Sequence, residues 1–195
     1  VVLDIRAFFD AELAEHAALV GATRADLREP FAAMVAVWSE TIKRKGKVLL
    51  FGNGGSAADA QHLAAELTVR YRVNRPAIAA MALTTDSSVL TAAANDFGYA
   101  RVFSRQIEAL GKPGDLAFGI STSGRSENVV HALETARSLG LRAAALTGGD
   151  GGLLRAVADP ILIVPSESTA RIQEMHITLG QMLCAAVEIE LGFAE

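Results

Sequence analysis

A chain of 195 residues, 51% hydrophobic and 21% charged, is most simply one globular domain with room for a substantial core, which excludes a disordered chain. A net charge of −4 argues against a general nucleic-acid binder, although a local cluster of N–H groups still serves a small anion. Cys184, the one cysteine, excludes an intrachain disulfide. No leader pattern or apolar run of membrane length is visible, so a cytoplasmic protein without a membrane partner is expected.

In chain order, residues 1–45 are helical in pattern. Ile5, Phe8, Phe9, Leu13, Ala17 and Val20 recur at helical spacing, and a turn is expected around Gly21 to Thr23. A second helix carries Pro30 in its first turn, then Phe31, Met34, Val37, Trp38 and Ile42. Mean hydropathy is positive, and excess apolar surface is often buried between subunits, so these helices are expected to pack on a neighbouring copy. Beyond residue 45, short apolar strands near 47–51, 77–82, 115–120, 142–147 and 160–164 alternate with helices near 57–70, 86–94, 99–110, 127–139, 151–157 and 169–191. That alternation predicts an α/β fold with a parallel five-stranded sheet covered on both faces, and ligands at the carboxyl ends of its strands.

Two loops fall at such ends. Gly52-Asn53-Gly54-Gly55-Ser56 follows the first strand, and Ser121-Thr122-Ser123-Gly124-Arg125-Ser126 follows the third. Glycines admit close backbone approach, and free N–H groups at a helix start favour an anion. Ser56 and Ser126 are expected to cap the helices that follow, with Asp59 in the acidic position after Ser56. The remaining hydroxyls exceed what a cap needs. Neither the P-loop pattern nor Gly-x-Gly-x-x-Gly is present, which disfavours a nucleoside triphosphate or a dinucleotide. A ligand bearing both phosphate and hydroxyls, a sugar phosphate, fits best.

His62 and Glu66 share one face of the next helix, a spacing that suits a divalent metal or a general base. On the last helix, Gln173 and Gln181 lie eight apart, roughly 80° around the axis, and Ile177, Leu179, Met182, Leu183, Ala186 and Ile189 are expected to pack inward. His131 is expected at the surface, and His16 has no visible partner.

Residues 52–62 (Gly-Asn-Gly-Gly-Ser-Ala-Ala-Asp-Ala-Gln-His), 83–88, 94–99, Ser-Thr-Ser-Gly-x-Ser at 121–126, Leu-Thr-Gly at 146–148 and Arg-Ile-Gln-Glu-x-His at 171–176 together resemble the phosphoheptose isomerases of the SIS superfamily. The similarity runs in order over nearly the whole chain. It implies a single SIS domain over 1–195, a three-layer sandwich with a helical N-terminal extension, and a homotetramer that converts sedoheptulose 7-phosphate to D-glycero-D-manno-heptose 7-phosphate. By the resemblance, Asn53, Gly54, Gly55, Ser56, Asn95 and Asp96 would contact substrate, with the last two in a polar turn. Ser121, Thr122, Ser123 and Ser126 would hold the phosphate and nearby hydroxyls. His62, Glu66 and Gln173 match zinc ligands of the family, Gln173 also touching substrate. Glu66 matches the catalytic base, and Asp59 would orient His62.

One position departs. The family carries a His, both zinc ligand and second acid/base group, where this chain has Gln181. An amide does not titrate near neutral pH and is a poorer zinc ligand than imidazole. His176 lies on the other side of Gln173 and cannot stand in. Arg125 replaces a common Asn and adds positive charge beside the phosphate loop. The same departure at 181 is shared by the DnaA initiator-associating protein, a non-catalytic relative, which makes a regulatory role the alternative; the retained Glu66 and His62 favour the isomerase.

Overall fold

The computed structural model describes residues 3–194. Two long helices open the chain, α1 (Ile5–Asp26) and α2 (Arg28–Lys43). Asp4 caps α1 by accepting hydrogen bonds from the Arg6 and Ala7 amides at 3.0 and 3.1 Å. The expected turn at 21–23 is absent. Helix α1 continues through Gly21 and breaks at Leu27 instead, because one glycine costs a helix only about 1 kcal/mol.

The alternating part follows as β1 (Val48–Gly52), α3 (Gly55–Thr68), β2 (Ala80–Ala82), α4 (Ser87–Phe97), a 3-10 turn (Tyr99–Arg101), α5 (Ser104–Leu110), β3 (Leu116–Ser121), α6 (Glu127–Ser138), β4 (Arg142–Gly148), α7 (Leu154–Val157), β5 (Ile161–Val164) and α8 (Thr169–Glu190). The five strands are parallel in the order β2-β1-β3-β4-β5. The five predicted strands are all present, with the second cut to three residues; the predicted helices are present except that 99–110 divides into the 3-10 turn and α5, and 151–157 shortens to the four residues of α7.

Strand side chains alternate between two cores, as a period of two requires. Val48, Leu50, Leu116, Phe118 and Ile120 face one core with Trp38, Leu63, Leu179 and Leu183, so α2, α3 and α8 cover that side. Leu49, Phe51, Ala117, Ala143 and Ala145 face the other with Val102, Ile107, Val129 and Leu133, so α5 and α6 cover the second. The result is the predicted three-layer sandwich. Trp38 packs edge-on against Phe118 at 4.9 Å between centroids, anchoring α2 on the sheet.

The apolar face predicted for α1 does not point into this core. Ile5, Phe8, Phe9, Leu13 and Val20 are exposed, and only Leu19 and Thr23 are buried. Met182 and Ile189 of α8, expected inside, are about half exposed. Met182 instead lines an apolar groove with Val20, Leu27 and Phe31. No helix among the described residues is long and apolar enough to cross a membrane.

Candidate active site

Connections leave β1 toward β2 on one side, while β3 to β5 lie on the other, so the strand order reverses between β1 and β3. That switch opens a crevice at the carboxyl ends of the strands. Gly52 pairs with Ile120, which sets the two predicted loops side by side. Gly54 lies at φ 55°, ψ −122°, a conformation that L side chains rarely adopt, and it lets β1 turn directly into α3.

The first loop is tied to the start of α6 by amides. Asn53 Nδ2 donates to Asn128 Oδ1 at 2.9 Å, and Asn128 Nδ2 donates back to Asn53 Oδ1 at 2.9 Å. The Tyr99 hydroxyl also donates to Asn53 Oδ1, at 3.0 Å. Sequence reasoning missed Asn128 and Tyr99. The available signal for Asn128 was an amide directly before the apolar pair Val129-Val130, and it is 3% exposed.

Ser56 is not the expected cap. Helix α3 already begins at Gly55 with Gly54 as its cap, and Ser56 is buried within the first turn. Ser126 occupies the cap position of α6 but makes no capping bond; its hydroxyl pairs with that of Ser121 at 2.9 Å. That frees the first amides of α6 for an anion. Thr122, Ser123 and Arg125 line a cavity of about 260 Å³ with Asp150, Glu167 and Thr169. Arg125 is held at its rim, donating to Asp150 Oδ2 at 2.6 Å and the Ser123 carbonyl at 3.1 Å. The Arg125 hydrogen bond keeps the Asp150 carboxyl below its usual range.

Helices α3 and α8 run side by side. Gly55 abuts the Gln173 amide so closely that a methyl group there would lie 2.8 Å from it. Farther along, His62 Nε2 lies 3.0 Å from Glu66 Oε1 and 3.5 Å from Gln181 Nε2. A carboxylate only accepts, so the ring proton on Nε2 is donated to Glu66. The close approach depends on Gly180, where a methyl group would meet Leu63 at 2.7 Å. His62, Glu66 and Gln181 are thus brought together, with Gln173 at the helix start.

Other expectations fare differently. Asn95 and Asp96 lie in the exposed last turn of α4 rather than in a separate turn, and bond to each other at 2.8 Å. No hydrogen bond joins Asp59 to His62; Asp59 Oδ2 is buried without a partner, and burial raises its pKa. His131 is half-buried with Nδ1 unpartnered, not at the surface. His16 does have a partner, Glu174 Oε2 at 2.7 Å, in a network where Arg171 also binds Glu12 at 2.6 Å. These contacts dock α1 on the start of α8.

Among the described residues, no three His, Cys, Asp or Glu side chains converge. One imidazole, one carboxylate and two side-chain amides fit a divalent ion, but more weakly than a set of imidazoles and carboxylates.

Comparison with known proteins agrees with this fold. The SIS domain family matches residues 13–148. A phosphoheptose isomerase of Paramagnetospirillum magneticum is 61% identical over 181 residues, covering 93% of this chain and 94% of that protein. One from Chlorobaculum parvum is 59% identical over 166 residues, 84% of this chain and 79% of that protein. The solved phosphoheptose isomerase of Neisseria gonorrhoeae superposes with a TM-score of 0.89 at 42% identity, covering 95% of this chain and 99% of that one. That of Francisella tularensis gives 0.91 at 33% identity, with 96% and 100% covered.

Proposed function

The chain belongs to the phosphoheptose isomerases of the SIS domain family, and from that membership we propose that it converts sedoheptulose 7-phosphate to D-glycero-D-manno-heptose 7-phosphate through a cis-enediol. The single observation that carries the reading is the cluster on α3 and α8, where His62 Nε2 lies 3.0 Å from Glu66 Oε1 and 3.5 Å from Gln181 Nε2, at the same carboxyl end of the sheet as the hydroxyl-rich loop at 121–126.

In this reading the phosphate sits on Ser121, Thr122, Ser123 and Ser126 at the start of α6, where unpaired amides and the helix dipole favour negative charge. Asn53, Gly54, Gly55, Ser56 and Gln173 border the sugar, and Asn95 and Asp96 approach it from α4. Glu66 removes the C1 proton of the ketose. The C1–H electron pair becomes the C1=C2 bond of the enediol as the C2=O π pair moves onto O2, which takes a proton from water; the proton that O1 loses in the second half returns to water, so none is gained or lost overall. Glu66 then returns its proton to C2, while O1 loses one to become the aldehyde oxygen. In the metal-free protein the His62 N–H bond to Glu66 holds the carboxylate in one orientation, and bound zinc would take the place of that proton.

Gln181 hydrogen-bonds the O1 and O2 region without exchanging protons with it. Loss of one general acid–base group is worth typically 10²–10⁴-fold, so turnover is slowed and not abolished. Zinc belongs to the reading: His62 and Glu66 would hold it with amide oxygens of Gln173 and Gln181, and it would supply charge stabilisation to the enediolate. A homotetramer is supported by the exposed apolar face of α1 and the groove beside Met182. A cytoplasmic location goes with a phosphorylated sugar substrate.

The test is turnover of sedoheptulose 7-phosphate, with zinc supplied, by this chain and by Gln181→His. Turnover by the chain itself supports the isomerase. Activity only in the variant locates the defect at residue 181. Silence in both sinks the isomerase reading in favour of a regulatory relative, which Gln181 also suits.

A further inference from the structure

The far ends of α3 and α8 hold a buried ion pair that the chemistry above does not use. Arg75, in the connection from α3 to β2, and Glu188, near the end of α8, each have side chains only 1% exposed. Arg75 Nε donates to Glu188 Oε1 at 2.9 Å. Its Nη1 donates to the carbonyls of Leu67 and Pro76 at 2.8 and 3.0 Å, and its Nη2 donates to the carbonyl of Glu66 at 2.7 Å. Glu188 also accepts from the Tyr71 and Arg72 amides, both at 3.2 Å. Burial alone would raise the Glu188 carboxyl, but these amides and Arg75 outweigh it and hold it low.

A buried ion pair by itself says little about stability, since apolar residues of similar volume often serve as well. The partners are what matter here. The last carbonyls of a helix have no partner within it, and the final turn frays first. Glu66 lies in the last turn of α3, two residues from its end, and one of the carbonyls held is its own. Glu188 lies seven residues beyond Gln181, two turns and about 10 Å along α8. The clasp thus fixes the Glu66 turn to the helix that carries Gln181.

We propose that Arg75 and Glu188 are positioning residues for Glu66: their ion pair clamps the final turn of α3 onto α8 and so aims the carboxylate at the substrate's C1. The inference rests on the reading of Glu66 as the base. Neither residue touches the reacting atoms. Their effect lies in kcat, because a base displaced by about 1 Å can cost 10²-fold while the phosphate loop still binds.

The experiment compares wild type, Glu66→Gln, Arg75→Lys and the double variant Arg75→Met/Glu188→Met, measuring kcat, KM for sedoheptulose 7-phosphate and Tm. The double variant removes both charges together but leaves the Glu66 carbonyl and the Tyr71 and Arg72 amides without these partners, so its Tm is expected to fall, and it is assayed well below that Tm. Its kcat is expected to fall at least 10-fold with KM within about twofold. Arg75→Lys keeps the charge but lacks the planar fork, and is expected to lower kcat likewise at a temperature well below its Tm. If the double variant folds poorly, Arg75→Lys decides: lowered kcat at unchanged KM supports the clamp. Wild-type kcat in folded Arg75→Lys or in the double variant, with Glu66→Gln inactive, overturns the inference alone. If the wild type is silent, the same variants are compared in the Gln181→His background; silence there too, or an active Glu66→Gln, overturns the reading of the base, and the inference with it.

Discussion

His62 and Gln181 face each other across α3 and α8, ring Nε2 to amide nitrogen at 3.5 Å. The ring proton on Nε2 is committed to Glu66, so the amide nitrogen is a neighbour of the ring and not a donor to it. An imidazole at 181 would stand beside the same carboxylate and could exchange protons there.

Glu66→Gln keeps the size of the side chain and an oxygen to accept from His62, but removes the base. Turnover is expected to fall by about 10³-fold or more. The Tm should stay within roughly 2–4 °C, the equivalent of about 1 kcal/mol in a domain of this size. Steady-state kinetics beside a thermal melt checks it, and full activity would place the base elsewhere.

Ser126→Ala strands the Ser121 hydroxyl, which now shares a 2.9 Å hydrogen bond with it, and removes one donor from the proposed phosphate cradle. Hydrogen bonds to a charged group contribute about 1.5–3 kcal/mol, so affinity for sedoheptulose 7-phosphate should weaken by roughly 10- to 100-fold. Isothermal titration reads this directly. Unchanged affinity would remove Ser126 from the cradle.

Acid should destabilise the protein through His176. Burial lowers its pKa to about 4, although the Thr147 carbonyl, 3.1 Å from Nε2, works in the opposite direction. The folded state therefore keeps the ring neutral while the unfolded chain takes up a proton below about pH 6.5. Stability is full above that pH and is lost as pH falls toward 4, by on the order of 3 kcal/mol. Chemical denaturation at pH 7.5 and at pH 4.5 measures it. His176→Gln should flatten this part of the profile, and an unaltered slope in that variant would assign it to other groups.

Gly180→Ala ought to stabilise a helix interior by about 1 kcal/mol on propensity alone. Here the added methyl group meets fully buried Leu63 at 2.7 Å, and overpacking costs about 1–3 kcal/mol. The expected outcome is a Tm lower by a few degrees, together with lower kcat, because α8 and Gln181 move away from His62. A higher Tm would show that Leu63 yields freely.

Much of the molecule was legible in the residues themselves. Apolar runs ending in Gly and Ser dictated the strands and loops, because alternating burial and helix-start chemistry are local properties. The spacing of His62 and Glu66 put them on one helix face for the same reason. The α1 stripe, expected to face a neighbouring copy, is exposed in the single chain, whereas α2, expected to do the same, packs on the chain's own sheet through Met34 and Trp38, because periodicity shows that a face is apolar and not which surface receives it. Ser56 failed as a cap because Gly54, free to adopt its unusual backbone angles, starts the helix one residue earlier. Tertiary structure alone decided the rest. It crossed Asn53 with Asn128 over 75 residues, set Gln181 against His62 over 119, and seated Glu188 on Arg75 over 113. Such pairs depend on strand order and helix packing, where contacts distant in sequence form only once the whole sheet is closed by its helices.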